Sequence, residues 1–366
     1  MSQSSTHTIV FAGGGTAGHV EPALATARAW MDKHPEDRCI FLGTPTGLES
    51  VLVPAAGFEL FNINKVVMPR RLNLDLALLP IRLLRAVNSA RVIIKGSDLL
   101  VGFGGYLSAS AYLAAYFVRV PFVVHEANAK VGWANRLGAT MTRYLAVARP
   151  IPTGKFSRAT VTGLPLRADV RTAYFRATSD WHRARVEAKQ AMGWDLAKPT
   201  LLVLGGSQGS TFINSHIARA LPSLNDKGIQ ILHSVGSSNQ VPQDFGFYKA
   251  VPYITDMATA YLAADVVLAR SGAVTCAEVA ALGRLAVFVP LPIGNGEQAR
   301  NAEDLVSKGR AILVSQDDFS SHWLINHIDE ALARSRELAD SGLNQDLDAE
   351  QRIVMLMEDA ISGRKQ

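Results

Sequence analysis

One pattern occurs twice in this chain: an apolar run, a glycine turn carrying a hydroxyl residue, then a helix-forming stretch. It reads IVFAGGGTAGH at residues 9–19 and LLVLGGSQGST at residues 201–211. Around these two copies, short apolar runs alternate with amphipathic stretches almost from end to end. The runs lie at 7–12, 38–43, 98–103, 121–126 and 143–148, and again at 200–206, 229–236, 265–270, 285–291 and 310–316. They are continuously apolar, which predicts strands buried on both faces and hence parallel sheets covered by helices. Residues 168–198 break the rhythm with polar, Arg- and Ala-rich helical sequence. The expected fold class is α/β: two similar, Rossmann-like, doubly wound parallel-sheet domains in tandem, facing one another, with a boundary near residues 163–168.

The bulk numbers agree with two domains, because 366 residues is long for one hydrophobic core. With 48% hydrophobic and 19% charged residues the composition is that of a globular protein. Two cysteines, Cys39 and Cys276, are too few for a disulfide framework or a structural zinc site, which suits a reducing cytosol. The start, MSQSSTHTIVFAGGG, does not read as a signal peptide, and the apolar run 107–118 is too short to span a bilayer. A net charge of +5 permits an anionic partner without identifying one, and no nucleic-acid partner is expected.

A glycine turn entering a helix presents free backbone N–H groups, and these attract phosphate. The first turn also matches the Gly-x-Gly-x-x-Gly dinucleotide fingerprint. An NAD site, however, wants an acidic residue at the end of the second strand. That strand ends Phe41-Leu42-Gly43-Thr44, and Glu49 lies well past it. The second turn, GGSQG, also fits a hydrolase nucleophile elbow, with Ser207 as nucleophile and Asp265 and His322 as partners. Ser207 as a hydroxyl donor to phosphate is the more economical reading.

ARSGAVTCAEVAALG (269–283) is the most informative stretch. Ser271-Gly272 can cap a helix carrying Ala273, Val274, Thr275 and Glu278. A diphosphate fits the first-turn N–H groups, and Glu278 suits a ribose diol, since a carboxylate accepts two hydroxyl hydrogen bonds. The plainer reading makes Glu278 a solvated helix glutamate. In PLPIGNGEQARNAEDL (290–305), Glu297, Gln298 and Asn301 supply polar groups, and Gln298 is placed to bind sugar hydroxyls. Both segments follow the carboxyl ends of strands, where ligands bind in open α/β sheets. The only Asp-x-Asp, Asp346-Leu347-Asp348, reads as a solvated helical face, so no metal site is expected.

Residues 70–95 offer a separate clue. At helical spacing Leu72, Leu76, Leu79, Leu83, Ala90 and Ile94 form a core stripe, while Leu74, Leu78 and Ile81 fall opposite, beside Arg82 and Arg85. A second apolar patch with a basic rim suits an anionic membrane surface; burial under a loop or a dimer contact would also use it. Pro80 threatens the helix and its phase.

Taken together, GGTAGHVEPALA (14–25), GFGGYLS (102–108), HEANAKVGWANR (125–136), GLPLR (163–167), GGSQGS (205–210), ITDMATAY (254–261), RSGAVTCAE (270–278) and GNGEQARNA (294–302) resemble the MurG family of bacterial glycosyltransferases. These segments run in order through both halves, so the resemblance covers nearly the whole chain. It implies a GT-B fold with the donor in the cleft. The implied divisions are an acceptor- and membrane-facing domain at 1–165, a UDP-sugar domain at 166–345, and a helix at 346–366 packing back on the first domain. The implied reaction is inverting transfer of N-acetylglucosamine from UDP-N-acetylglucosamine to lipid I, undecaprenyl-diphospho-MurNAc-pentapeptide, giving lipid II for the bacterial cell wall. Another GT-B enzyme with a different lipid acceptor, or a UDP-N-acetylglucosamine epimerase, is the alternative.

By the same resemblance Ser207 contacts phosphate, and Ile254 meets the uracil through its backbone. Ala273, Val274, Thr275, Cys276, Ala277 and Glu278 line the diphosphate and ribose. Arg167 balances diphosphate charge, Gln298 binds the sugar, and Thr16, Ala17, Gly18 and Asn128 complete the donor site. Two departures stand out: Ala17 replaces a frequent Gly, and Glu297 replaces the first of a frequent Gln pair. His19 is the leading candidate for the base that takes the acceptor's proton, or else an acceptor-phosphate contact; Glu126 is the second candidate base. No cofactor is required on this reading, and magnesium helps only indirectly. Partners are lipid I, anionic phospholipids and other cell-wall synthesis proteins, at the cytoplasmic face of the membrane, where the protein is peripheral.

Overall fold

The computed structural model describes residues 6–64, 79–206, 208–292, 296–338 and 341–363. Two compact units divide the chain. The first comprises Met1–Arg167 with Asp348–Gln366, and the second Ala168–Leu347.

The first unit holds a seven-stranded sheet. Its strands are β1 (Thr8–Ala12), β2 (Arg38–Gly43), β3 (Glu59–Asn62), β4 (Leu99–Gly102), β5 (Phe122–Glu126), β6 (Leu145–Val147) and β7 (Thr160–Val161). Their order is β3-β2-β1-β4-β5-β6-β7, and every pairing is parallel. Alternate residues of one strand serve opposite cores. Val10, Ala12, Ile40, Leu42 and Leu100 pack on one face, and Ile9, Phe11, Cys39, Phe41, Leu99 and Val101 on the other. Burial on both faces explains why these strands are continuously apolar in sequence.

The second face is completed from the far end of the chain. Helix Ala349–Ser362 places Ile353, Val354, Met357 and Ala360 in the same core as Trp30 of helix Ala17–Lys33. Burying a side chain such as Ile353 or Met357, both 0% exposed, contributes about 1.5–3 kcal/mol. Asp346 is buried at 2% exposure, and Asp348 pairs with Arg352 at 2.6 Å. Of the solvated face expected for Asp346-Leu347-Asp348, Asp348 is exposed as expected and Asp346 is not. The segment lies where the chain leaves one unit for the other, and the first aspartate goes inside.

The second unit repeats the plan with β8 (Thr200–Leu204), β9 (Gln230–Ser234), β10 (Tyr248–Val251), β11 (Val266–Ala269), β12 (Leu285–Phe288) and β13 (Ala311–Leu313). The order is β10-β9-β8-β11-β12-β13, again wholly parallel. The polar stretch before it forms helices Ala168–Ala177 and Trp181–Ala191. Asp265, just before β11, accepts from Lys189 Nζ at 3.2 Å and from the Thr200 N–H at 2.8 Å, and also pairs with Arg185.

Three strands escape the sequence reading: β3, β7 and β10. All lie at sheet edges, where one flank is open and a long apolar run is not needed. Helix Leu79–Ile94 forms despite Pro80, which stands in its first turn, where a missing N–H breaks no helical bond.

His233 on β9 is 1% exposed and fully satisfied as a neutral ring. Its Nδ1 lies 3.0 Å from the Tyr248 hydroxyl, and its Nε2 lies 3.0 Å from Asn214 Oδ1. Burial pushes its pKa down to about 4. The unfolded chain then takes up a proton near pH 6.5 that the folded one refuses until about 4. Stability should fall across that window by about 3 kcal/mol. Urea unfolding between pH 7.5 and 4 should show this slope in wild type and lose it in His233→Gln.

Candidate active site

In each sheet the order reverses beside the first strand, between β1 and β4 and between β8 and β11. The loops leaving the carboxyl ends of these strands flank the switch point, the usual ligand position of the fold.

In the first unit, the turn Gly13–Gly18 follows β1 and delivers His19. Thr16 is the N-cap residue of helix Ala17–Lys33, and its side chain makes no capping bond. His19 Nδ1 lies 3.2 Å from the Gly14 carbonyl and 3.2 Å from Thr16 Oγ1. A carbonyl only accepts, so Nδ1 carries the proton in the neutral ring and Nε2 keeps the lone pair. Gly104 and Gly105, after β4, have φ of +94° and +81°, and a Cβ on Gly104 would sit 3.4 Å from Nε2. The glycine pair thus makes the backbone turn and leaves the imidazole edge uncovered. Burial lowers the pKa of His19; Glu126, the Gly14 carbonyl and Glu49 pull the other way. The neutral form therefore dominates at neutral pH.

Glu126 ends β5 and is 2% exposed. One oxygen accepts from the Asn128 N–H at 2.9 Å and its Nδ2 at 3.1 Å; the other accepts from the Gly132 N–H at 2.8 Å and Asn135 Nδ2 at 3.0 Å. Four donors hold the Glu126 carboxylate, and it fixes the 126–135 loop. His125 is 0% exposed, with Nε2 3.0 Å from the Gly163 carbonyl. Arg167 is 3.9 Å from Glu21, each side chain 12% exposed. Glu49, which had no role in the sequence reading, is 1% exposed and accepts from the Gly15 N–H at 2.9 Å. It faces the glycine turn, and no acidic residue stands at the end of β2 for a ribose.

In the second unit, Ser207 lies outside the described residues. The turn around it needs its glycines. A Cβ on Gly209 (φ +77°) would meet the Val235 carbonyl at 1.9 Å, and one on Gly205 would meet the Ser210 nitrogen at 2.3 Å. The hydrolase reading fails on geometry: Asp265 stands at the amino end of β11, while the GGSQG turn leaves the carboxyl end of β8.

Helix Ala273–Ala281 is entered through Gly272, with no side-chain capping bond. Ser271 does not cap it, contrary to expectation; its side chain is fully buried and its Oγ has no partner among the described residues. Among the described residues no side chain caps the first turn, and Ala273, Val274 and Thr275 are only half-buried. Cys276, Ala277 and Glu278 are buried. Glu278 is 3% exposed and its Oε2 accepts from the Tyr261 hydroxyl at 3.1 Å, so it is no solvated helix glutamate. Ile254 is buried in the loop after β10. Gln298 Oε1 accepts from the Leu291 N–H at 2.9 Å, which ties the loop after β12 to helix Glu297–Ser307.

Arg270, which the sequence reading passed over, joins these loops. It is 8% exposed and donates to the Val289 carbonyl at 2.9 Å, the Pro290 carbonyl at 3.1 Å, Ser210 Oγ at 3.1 Å and Gln316 Oε1 at 2.7 Å. Burial draws its pKa down.

A cavity of about 380 Å³ lined by Tyr116, Arg119, Arg143 and Tyr144 opens at the amino ends of β5 and β6, away from these loops. On helix Leu79–Ile94, Ala86, Val87, Ala90 and Ile94 are buried, while Ile81, Leu84 and Val92 are 49%, 62% and 80% exposed. Arg85 is exposed and Arg82 half-buried; Leu74 and Leu78 lie outside the described residues. Leu84, Val92 and the exposed pair Tyr116 and Phe117 were missed. Among the described residues no helix is long and apolar enough to cross a membrane.

Residues 9–146 match the glycosyltransferase family 28 N-terminal domain, and residues 200–355 match its C-terminal domain. The chain is 44% identical to the UDP-N-acetylglucosamine--N-acetylmuramyl-(pentapeptide) pyrophosphoryl-undecaprenol N-acetylglucosamine transferase of Paenarthrobacter aurescens, over 97% of both chains. The chain belongs to glycosyltransferase family 28. The enzyme of the same name from Corynebacterium glutamicum is also 44% identical, over 87% of both. The crystal structure of Acinetobacter baumannii MurG is similar with a TM-score of 0.68 and 26% identity, covering 97% of this chain and 100% of that one. A UDP-GlcNAc 2-epimerase from Neisseria meningitidis, bound to UDP-GlcNAc, has a TM-score of 0.60 at 14% identity over 97% and 100% of the chains, which is likeness of fold alone. The fold class of this family 28 chain is GT-B, two Rossmann-like parallel-sheet domains.

The Arg270 guanidinium gives a test of the second unit's loops. Arg270→Leu strands two carbonyls and should lower stability by about 3 kcal/mol, read as a fall in thermal midpoint and weaker UDP binding.

Proposed function

We propose that this chain transfers N-acetylglucosamine from UDP-N-acetylglucosamine to undecaprenyl-diphospho-MurNAc-pentapeptide, with inversion at the anomeric carbon. The observation that carries this reading is the 44% identity over 97% of the Paenarthrobacter aurescens transferase. On the second unit, the uncapped first turn at Ala273–Thr275 and the turn around Ser207 receive the diphosphate. Charge grows there as UDP leaves, and fixed N–H groups stabilise it more in the transition state than in the ground state. Ile254 meets the uracil, Glu278 the ribose and Gln298 the sugar. Arg167, 3.9 Å from Glu21, balances diphosphate charge.

On the first unit, Nε2 of His19 takes the proton of the attacking hydroxyl while Gly14 steadies Nδ1. Thr16, Ala17, Gly18 and Asn128 face the sugar being transferred. Glu126 holds the loop that carries Asn128. No cofactor enters this scheme, and magnesium acts only through the substrates. The exposed positions Ile81, Leu84 and Arg85, with the half-buried Arg82 beside them, support a peripheral attachment to anionic phospholipid at the cytoplasmic face, where lipid I and other cell-wall synthesis proteins are met.

Labelled UDP-N-acetylglucosamine with a lipid I analogue should give a labelled lipid product; hydrolysis or 2-epimerisation in its place would point to the epimerase alternative. His19→Ala should lower turnover about 100-fold or more with UDP affinity unchanged. Because burial lowers the pKa of His19, wild-type kcat/KM should hold to below pH 6.5 and fall only as the ring protonates. Ile81→Ser with Leu84→Ser should reduce co-sedimentation with anionic vesicles without reducing UDP binding.

A further inference from the structure

Glu49 takes no part in the scheme above, yet the first unit builds a slot for it. A Cβ on Gly14 would lie 3.0 Å from Glu49 Oε1, one on Gly43 2.7 Å from its Cγ, and one on Gly47 2.1 Å from Oε1. None of these three glycines has a positive φ. Space, and not backbone conformation, is what excludes a side chain at each. Inside the slot Oε2 accepts from the Gly15 N–H at 2.9 Å, and Oε1 accepts from the Thr44 N–H at 3.0 Å and Thr44 Oγ1 at 2.8 Å.

A carboxylate in this place is the opposite of what a phosphate cradle needs. It occupies the Gly15 N–H and adds negative charge beneath the turn. The same turn is gripped from its other side by His19, whose Nδ1 meets the Gly14 carbonyl at 3.2 Å. Gly14 is therefore held between an acid and an imidazole.

We infer that Glu49 is a positioning residue for the transfer: it locks the 13–18 turn from beneath and sets a second fixed negative charge near His19, the first being Glu126. This rests on the reading of His19 as the base. The charged groups acting on the ring are Glu126 at the end of β5 and Glu49 at the start of helix Glu49–Ala55; Glu21, on the same helix as His19, faces Arg167 at 3.9 Å. Burial disfavours the imidazolium, and Glu126, the Gly14 carbonyl and Glu49 oppose it. Without the Glu49 charge, burial wins by a wider margin and the ring becomes harder to protonate.

The test uses the full chain. NMR titration of the free protein should show a lower His19 midpoint in Glu49→Gln than in wild type. The acid limb of kcat/KM should move down with it. Glu49→Asp keeps the charge but withdraws it from Gly15; turnover should fall about tenfold while the limb moves less. A Glu49→Gln midpoint equal to wild type, with His19→Ala inactive, overturns the inference about Glu49 alone. Should Glu49→Gln not fold, full turnover in Glu49→Asp overturns it. Undiminished turnover in His19→Ala overturns the base assignment, and the part of Glu49 in the transfer falls with it.

Discussion

Parallel hydrogen bonding throughout both sheets gathers the loops after every strand at one edge, and with them the free N–H groups that start each following helix. Glycine turns, the His19 helix, Arg270 and the Ala273 helix all lie on that side of their own sheet. The opposite edges carry fixed ion pairs such as Asp265 with Lys189. Strand polarity therefore sorts residues into chemistry and support before any side chain is considered.

The two units use that edge differently. In the second, cationic and uncapped groups collect: the Arg270 guanidinium spans three loops, and the Ala273 helix start is unfilled by any side chain. In the first, buried carboxylates hold the loops. Glu126 gathers Asn128, Gly132 and Asn135, and Glu49 gathers Gly15 and Thr44. An anionic leaving group is stabilised by the former setting and repelled by the latter, whereas a proton acceptor gains from nearby negative charge.

The sequence disclosed central strands well, because a doubly buried strand must be apolar at every position. Edge strands β3, β7 and β10 were lost, because half-open strands obey no such rule. The turns of the candidate site were legible because glycines and the helix starts they feed are local signals. What stayed hidden were long-range partners. Nothing near Glu49 in the chain announces that it reaches Gly15, and nothing around Arg270 announces Gln316. The four donors to Glu126 likewise come from a loop that closes over it only after folding. The spacing of Gly43 and Gly47 around Thr44 was the one local hint of a slot.

The amino-terminal unit borrows its last helix, Ala349–Ser362, from beyond the second unit. Ile353, Val354 and Met357 close a core begun by Ile9 and Phe11. During synthesis that core stays open on one side until the entire intervening unit has emerged. The nascent amino-terminal half thus exposes an oily surface for the length of a whole second domain, the kind of intermediate that chaperones attend.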